Sequence, residues 1–336
     1  MATATRLESD LWPALWRYWH PVAFAADVGE KPVAVTLLNQ RLVLARLGDQ
    51  LACFRDLCVH RGTPLSLGWV DGDELVCGYH GWRYARSGAC TCIPALPASH
   101  PIPRRARAEA FRVEERYGIV WVCLSEPVAP IPEFPEADDP HFKLTYHPAV
   151  TWQASAARRT ENFVDAAHFP WVHENILGTR DHPEVPEITI TRHGEELRYA
   201  FDDLPNPMHP VPHRRVYRIH RPFTIHQRKV RTGDDDVEVS FQATCPNGER
   251  ASTAFLIIGR NFPLSPEEEA ERFALDELIN AQDRPIVESQ RPEELPLDLA
   301  AELHLKGPDA VAVAYRRFLA ELGVDVDAPA AASAGR

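Results

Sequence analysis

The sequence predicts an α+β protein with two successive domains: an all-β N-terminal domain, then an antiparallel sheet combined with helices. The first 125 residues contain short β-type runs separated by turns, whereas helix-type patterns enter only beyond residues 126–140, a segment rich in proline and acid. A chain of 336 residues also exceeds the usual size of one domain. We therefore predict domains at 10–125 and 141–325, a linker at 126–140 and a disordered tail at 326–336.

The N-terminal domain is predicted from its strand-type runs. Residues 33–38 and 41–46 flank Asn39-Gln40 and predict a hairpin. The apolar run 118–124 has the length of a buried strand. The prolines of 126–140 cannot continue a regular ladder, which places the boundary there.

The C-terminal domain is predicted to contain both helices and strands. The segments that resemble antiparallel strands are 187–203, 214–231 and 236–260, and those that resemble helices are 158–169, 265–290 and 308–322. Pro170 is expected to end the first helix, because the residue before proline is driven out of the helical region. Ser265-Pro266 followed by two glutamates is typical of a helix start.

Charge and cysteine content exclude several functional classes. A formal net charge of -12 argues against nucleic acid or an anionic membrane surface as the main partner. The sequence contains no apolar run long enough for a membrane span, and its N-terminus does not resemble a secretory signal, so a cytoplasmic location is expected. Seven cysteines, an odd number, argue against a disulfide framework. Cys90 and Cys92 are expected to lie on one face of a strand as structural residues.

The first metal-binding pattern consists of two short loops that each supply one cysteine and one histidine. Cys58 and His60 form the first loop, and Cys77 and His80 form the second. Four such ligands suit either a tetrahedral zinc ion or a [2Fe–2S] cluster. The paired arrangement favours the cluster, with both thiolates on one iron and both imidazoles on the other.

The second pattern contains only nitrogen and oxygen ligands. His168 and His173 are five residues apart, and a helix that ends near residue 169 would allow the chain to turn and bring them together. Two histidines need a carboxylate to complete a facial triad for Fe(II). Asp283 is the best candidate, with Glu277 and Glu288 on the same helix as rivals.

The sequences around the first pattern resemble those of Rieske domains. They read HRGTPL at 60–65 and YHGWRY at 79–84. Histidine ligands in place of two cysteines raise the reduction potential of such a cluster above that of plant-type ferredoxins. With Asn162, Asp165 and the two histidines of the second pattern, nearly the whole chain resembles the oxygenase component of Rieske non-haem iron oxygenases. It is similar to short members such as the hydroxylases of saxitoxin biosynthesis, and more distantly to demethylases of the dicamba monooxygenase type.

This resemblance implies a helix-grip catalytic domain, a [2Fe–2S] cluster, Fe(II) held by His168, His173 and Asp283, and a homotrimer. Asp165 would carry the electron between His80 of one subunit and His168 of the next, with Asn162 beside the iron. The sequence shows no nucleotide or flavin motif, so NAD(P)H and flavin would act only through a separate reductase or ferredoxin.

The predicted activity is a monooxygenase that hydroxylates or oxidatively demethylates a small, ring-containing substrate with O2. A cis-dihydroxylating arene dioxygenase is the alternative within enzymes. An electron carrier with an inactive catalytic domain, or a zinc-stabilised binding module, represents a different class. Iron content and the fate of labelled oxygen would separate these possibilities.

Two basic groups are further candidates for partner or substrate contact. Arg61, Arg83 and Arg86 follow the cluster ligands and are a hypothetical docking site for an acidic ferredoxin or reductase. Arg218 and His220 lie on the charged face of segment 214–231, which would either be solvated or meet an anionic substrate.

Overall fold

The computed structural model describes residues 5–97, 99–203, 213–231, 233 and 235–323. Its described residues divide into two compact units. The first contains Trp16–Ile131 and Cys245–Gly248, and the second contains the residues before Trp16, those of 132–244 and those from Glu249 onward. The boundary between the units, after Ile131, therefore falls inside the predicted linker 126–140. The predicted tail at 326–336 lies outside the described residues.

The first unit is all-β. Its strands are β1 (His20–Phe24), β2 (Val33–Leu37), β3 (Gln40–Leu47), β4 (Gln50–Arg55), β5 (Trp69–Asp71), β6 (Glu74–Val76), β7 (Arg83–Ala85), β8 (Cys90–Cys92), β9 (Ala110–Arg116) and β10 (Ile119–Cys123). Six of them form a sheet in the order β1-β10-β9-β4-β3-β2, and β5 to β8 form a four-stranded meander. The predicted hairpin forms, but its turn residues are Leu38 and Asn39, with φ of 49° and 59°, one residue before the predicted pair.

The second unit combines one sheet with helices, as the sequence predicts. Its elements are α1 (Trp12–Leu15), β11 (Lys143–Tyr146), β12 (Val150–Trp152), α2 (Ala156–Val164), α3 (Phe169–Val172), β13 (Thr191–His193), β14 (Glu196–Asp202), β15 (His213–His220), β16 (Thr224–Arg231), β17 (Val237–Gly248), β18 (Ala251–Arg260), α4 (Pro266–Ser289) and α5 (Ala310–Ala320). The last four residues of β17 belong to the first unit. The sheet runs in the order β11-β18-β17-β16-β15-β14-β13, and β12 also pairs with β18.

Helix α4 begins where the sequence predicts. The hydroxyl of Ser265 accepts a hydrogen bond from the Glu268 backbone N–H, and the Glu268 carboxylate accepts one from the Ser265 N–H. This capping box satisfies two backbone donors at the start of the helix. Asp276, Asn280 and Asp283 follow at spacings of four and three residues, so they lie on one face of α4.

The prediction of one helix over 158–169 is wrong. Helix α2 ends at Val164, and Asp165 has an extended backbone with φ -82° and ψ 124°. Pro170 lies in the first turn of the short helix α3, where proline is tolerated because its missing N–H would have no partner anyway. Asp165 and His168 therefore do not share a helical face, because both lie between the end of α2 and the start of α3.

A buried carboxyl group near the N-terminus predicts a pH-dependent stability. Burial raises the pKa of Glu8 to about 7, although hydrogen bonds from Ser155 and from the Ala157 N–H oppose the shift. The pKa of Glu8 is higher in the folded protein than in the unfolded chain. Its favourable contribution to the free energy of unfolding is therefore complete below about pH 4.5 and is lost as the pH rises to 7. Between pH 4.5 and 8, we expect the free energy of unfolding of the Glu8→Gln protein to rise by about 3 kcal/mol relative to that of the parent. Urea unfolding of both proteins at these pH values measures it, and parallel pH profiles would contradict it.

Candidate metal centres

The two loops that carry the cysteine and histidine pairs have matching backbone geometry. The backbone carbonyl of Cys58 accepts a hydrogen bond from the Gly62 N–H at 2.9 Å, and that of Cys77 accepts one from the Gly81 N–H at 3.0 Å. Both glycines have positive φ, 74° and 67°, a conformation that side chains disfavour. The glycines of the HRG and YHG motifs thus close two equivalent turns around the four ligands.

The four side chains of these loops lie together. Cys58 and Cys77 are buried, and the rings of His60 and His80 have centroids 4.6 Å apart. The Nδ1 atom of His60 is buried without a hydrogen-bond partner. Burial, His80 and Arg61 lower the pKa of His60, which favours the neutral imidazole that a metal requires. Two buried thiols and two imidazoles, one with an unsatisfied nitrogen, fit a [2Fe–2S] cluster.

Tyr84 lies against one of these thiols. Its hydroxyl is 3.1 Å from the Cys58 Sγ, and burial raises the pKa of Tyr84 above its ordinary value, so the group remains a donor. A donor to a ligating thiolate stabilises the more negative, reduced cluster. The sulfur environment is thus set by a residue four positions after His80.

We expect Tyr84→Phe to lower the cluster's midpoint potential by about 40 mV. A net hydrogen bond is worth about 1 kcal/mol, and a one-electron couple moves by about 59 mV per tenfold change in equilibrium constant. Tyr79→Phe is the matched control, because Tyr79 is exposed beside His80. Redox titration measures the potential, and an unshifted Tyr84→Phe protein would contradict the assignment.

The three arginines near the cluster loops differ in their surroundings. Arg83 forms ion pairs with Asp71 at 2.7 Å and Glu74 at 3.3 Å, so its charge is balanced locally. Arg86 donates to the Leu51 carbonyl and to Gln50, which are neutral groups, and Arg61 is exposed. The predicted basic group therefore reduces to Arg61 and Arg86.

The structure brings His168, His173 and Asp283 together. One ligand atom from each lies within 4.8 Å of the others. The Asp283 Oδ1 is 3.0 Å from the His173 Nε2 and 3.4 Å from the His168 Nε2. The rival carboxylates are engaged elsewhere, since Glu277 contacts His147 and Glu288 accepts from the Gln153 N–H and from Arg284.

Hydrogen bonds orient both imidazoles. The Nδ1 of His173 is 2.8 Å from the Gln282 Oε1, and the Nδ1 of His168 is 3.0 Å from the Asp165 Oδ2. With each Nδ1–H donated to an oxygen, each Nε2 is left for a metal. The buried His173 Nε2 lies 3.0 Å from the Asp283 Oδ1 without a well-aligned hydrogen bond, as expected for two atoms that bind one metal. The sequence analysis did not identify Gln282, although it directly precedes Asp283.

Electrostatics also fit a cation at this point. Burial opposes protonation of His168, but Asp165 and Asp283 outweigh it and raise its pKa to about 9. Burial likewise opposes ionisation of Asp283, yet the two histidines hold its pKa well below its ordinary value. The three residues thus form a charged cluster in which a divalent cation would replace a proton. Two histidines and one carboxylate are the facial ligand set of non-haem Fe(II) sites.

A cavity opens beside the three residues. Its empty space amounts to about 590 Å³, part of which is open to solvent. Its apolar lining consists of Phe163, Phe169, Leu177, Leu256, Ile258 and Ile279. Asn162, Asn280, Gln227 and Ser240 contribute neutral polar groups, and Arg159, Arg215, Lys229 and Asp276 contribute charged ones. A cavity with both apolar and polar walls next to a metal site suits a small molecule.

The structure does not place the predicted substrate contacts Arg218 and His220 in the lining of this cavity. The cavity is lined by Arg215, Gln227 and Lys229, on the other face of strands β15 and β16. Arg218 instead donates to the Glu196 carboxylate at 2.9 Å. The charged face is neutralised by acidic side chains and is neither solvated throughout nor directed into the cavity.

Comparisons with known proteins agree with this geometry. The sequence model of the Rieske [2Fe-2S] domain matches residues 18–111, and that of the vanillate O-demethylase oxygenase C-terminal domain matches residues 152–325. Methylxanthine N1-demethylase NdmA of Pseudomonas putida is 35% identical, over 92% of this chain and 89% of its own. The chain belongs to the Rieske non-haem iron oxygenases.

Further relatives of this oxygenase support the assignment. Methylxanthine N3-demethylase NdmB of Pseudomonas putida is 32% identical over 92% of this chain and 90% of its own. The structure of Pseudomonas putida CBB5 NdmA with caffeine has a TM-score of 0.86 at 34% identity and covers 94% of this chain and 93% of that one. The predicted family and fold class are confirmed.

This oxygenase is therefore an oxidoreductase with a Rieske [2Fe–2S] cluster and non-haem Fe(II). It acts on a small molecule as part of a multicomponent system, with electrons from a reductase or ferredoxin. Among the described residues, no helix has the length and apolar character needed to cross a membrane.

Proposed function

We propose that this oxygenase removes a methyl group oxidatively from a small N-methylated heterocycle. The observation that carries the proposal is the His168, His173 and Asp283 set, which lies beside a cavity with six apolar side chains in its lining. NdmA and NdmB, which match most of this chain, are methylxanthine demethylases by name. The reaction consumes O2, two electrons and two protons, and yields the demethylated ring, formaldehyde and water.

Each metal group has its own ligands in this proposal. Cys58 and Cys77 would hold one iron of the cluster, and His60 and His80 would hold the other. His168, His173 and Asp283 would hold the ferrous ion, which would supply dioxygen activation when bound. The apolar side chains orient the ring and exclude water, while Asn162 donates a hydrogen bond to Asp283 at 3.3 Å.

Asp165 is proposed to link subunits. Its Oδ1 accepts from the Ala167 N–H at 2.9 Å, its Oδ2 meets the His168 imidazole, and its side chain is 33% exposed. It lines an open groove that also reaches His168 and Asp283. In a homotrimer this carboxylate would accept a hydrogen bond from His80 of the partner subunit and so connect cluster and iron.

Exposed apolar side chains support association between copies. Around the cluster loops these are Leu57, Val59, Leu67, Trp69 and Tyr79, and near the groove they are Trp171, Ile286, Leu303 and Leu305. Contiguous exposed apolar groups mark contact surfaces. Sedimentation of the parent protein and of Leu303→Glu tests the trimer. A monomeric parent would refute it.

Arg61 and Arg86 are proposed to attract an acidic reductase or ferredoxin in the cytoplasm. Since neither arginine has a carboxylate partner among its described hydrogen bonds, charge reversal should slow cluster reduction at low salt by roughly 10-fold. The difference should vanish at high salt, where surface charges are screened. Equal reduction rates for the parent and the Arg61→Glu, Arg86→Glu protein at low salt would refute the docking site.

The test of the proposed reaction uses a surrogate reductase, NADH and a panel of N-methylated and unmethylated heterocycles. Formaldehyde should appear in equal amount to NADH consumed, and only with methylated rings. A dihydroxylating enzyme would release no formaldehyde and would place two labelled oxygen atoms in its product. An electron carrier would consume no substrate and hold iron only in its cluster.

A further inference from the structure

Arg159 of helix α2 is a buried cation held by amide groups. Its side chain is almost inaccessible, at 2% exposure, and its guanidinium lies 4.1 Å from the ring centre of Trp152. It donates hydrogen bonds to the amide oxygens of Asn162 at 3.0 Å, Gln242 at 2.9 Å and Asn280 at 2.8 Å. These amides come from α2, β17 and α4, so one guanidinium joins three elements around the iron cavity.

This environment differs from that of a structural ion pair. Burial lowers the pKa of Arg159 to about 10, with only a partly compensating effect of Asp283. Its neighbour Arg158 is equally buried, at 3%, but forms an ion pair with Glu302 at 2.6 Å. Keeping a cation in the interior without a direct counter-ion is costly. An uncharged side chain would fill the same space at lower cost, which indicates a role beyond packing.

The chemistry of the guanidinium dictates how the amides are oriented. Arginine has five N–H donors and no acceptor, so each amide that meets it must present its oxygen. The NH2 group of Asn162 then points away and donates to the Asp283 Oδ1 at 3.3 Å. A reversed Asn162 amide would place its oxygen against the Asp283 carboxylate, which is repulsive. The Asn280 NH2 group is likewise fixed, on the Asp276 carbonyl at 3.1 Å.

We propose that Arg159 is a positioning residue that acts through Asn162 to hold the Asp283 carboxylate in place for iron. This rests on the proposed function, since it requires Asp283 to be an iron ligand. A hydrogen-bond donor fixed on a ligating carboxylate limits its rotation and selects the oxygen that meets the metal. Arg159 fixes that donor without being an iron ligand itself, although it also lies in the wall of the cavity.

The test is Fe(II) affinity, measured on metal-free mononuclear sites by competition with a chelator. Arg159→Met removes the donors and keeps a long apolar side chain, and we expect roughly 10-fold weaker iron binding, typical for lost outer contacts of a ligand. Arg158→Met is the matched control. It lies next in the chain, is equally buried and should lose stability while keeping the parent's iron affinity.

A double-mutant cycle tests the route through Asn162. If Arg159 acts through this amide, adding Arg159→Met to Asn162→Ala should weaken iron binding by less than twofold further. Two full and additive losses would overturn the route, and parent affinity in Arg159→Met would overturn the proposal. If Arg159→Met does not fold, Arg159→Lys replaces it, because lysine keeps the charge but loses the planar fork. Parent affinity in Arg159→Lys would overturn the proposal as well.

The outcomes separate this inference from the iron site itself. The parent protein must bind mononuclear iron, and the Asp283→Ala protein must not. Should the parent bind no iron that depends on Asp283, the proposed function fails before Arg159 is tested. Should it bind such iron and Arg159→Met bind it equally well, only the positioning role is refuted.

Discussion

Asp283→Ala is expected to lose the mononuclear iron, to retain the cluster and to lower turnover by roughly 1,000-fold or more. Removing the carboxylate leaves two imidazoles and removes the oxygen that lies 3.0 Å from the buried Nε2 of His173. Metal analysis should show iron falling from about three atoms per chain to about two, with the cluster's visible spectrum unchanged.

The rival acids on the same helix provide the controls. Glu277→Ala breaks the contact with His147, and Glu288→Ala removes an acceptor for the Gln153 N–H, yet neither lies at the iron site. Both proteins should keep the parent's iron content. Iron retained by Asp283→Ala but lost from Glu277→Ala or Glu288→Ala would show that the triad is assigned wrongly.

Asp165→Asn is expected to retain both metal centres and to lose roughly 100-fold in turnover. The parent carboxylate accepts hydrogen bonds from the Ala167 N–H and from His168. An amide of the same shape supplies only one acceptor oxygen, so it cannot serve the bond to His168 and a second imidazole together. The mononuclear iron would remain intact while its electron supply is interrupted.

Stopped-flow measurement separates these steps. In Asp165→Asn, the reductase should reduce the cluster at the parent's rate, and reoxidation of the cluster by O2 with substrate should be slow. Asp181→Asn, an exposed acid near α3, is the control and should behave as the parent. Reoxidation within a few-fold of the parent's rate in Asp165→Asn would remove this residue from the electron route.

Local sequence patterns were sufficient for the cluster loops. Their ligands lie within a few residues of each other, and the glycines that close the turns are part of the same motif, so little depends on distant contacts. The capping box at Ser265 is local in the same way. By contrast, Pro170 was misread because proline disfavours the interior of a helix but suits its first turn. The end of helix α2 before Asp165 decides that Pro170 starts a new helix and does not end the first one.

The substrate face was not predictable from alternation alone. Segment 214–231 has two faces that both carry basic groups, and periodicity does not say which one meets the cavity. The answer depends on Glu136 and Glu196, which come from distant parts of the chain and contact Arg228, His226 and Arg218. Arg159 was missed for a similar reason, because two of its three amide partners, Gln242 and Asn280, are far away in sequence.

The most direct test of the central claim, electron transfer from the cluster of one subunit to the iron of another, uses mixed oligomers. One inactive protein carries Cys58→Ser and lacks the cluster, and the other carries Asp283→Ala and lacks the mononuclear iron. Refolded or co-expressed together, they should regain a substantial fraction of the parent's formaldehyde-forming activity, since each subunit supplies what its neighbour lacks. Mixed oligomers that remain as inactive as the separate proteins would contradict the account.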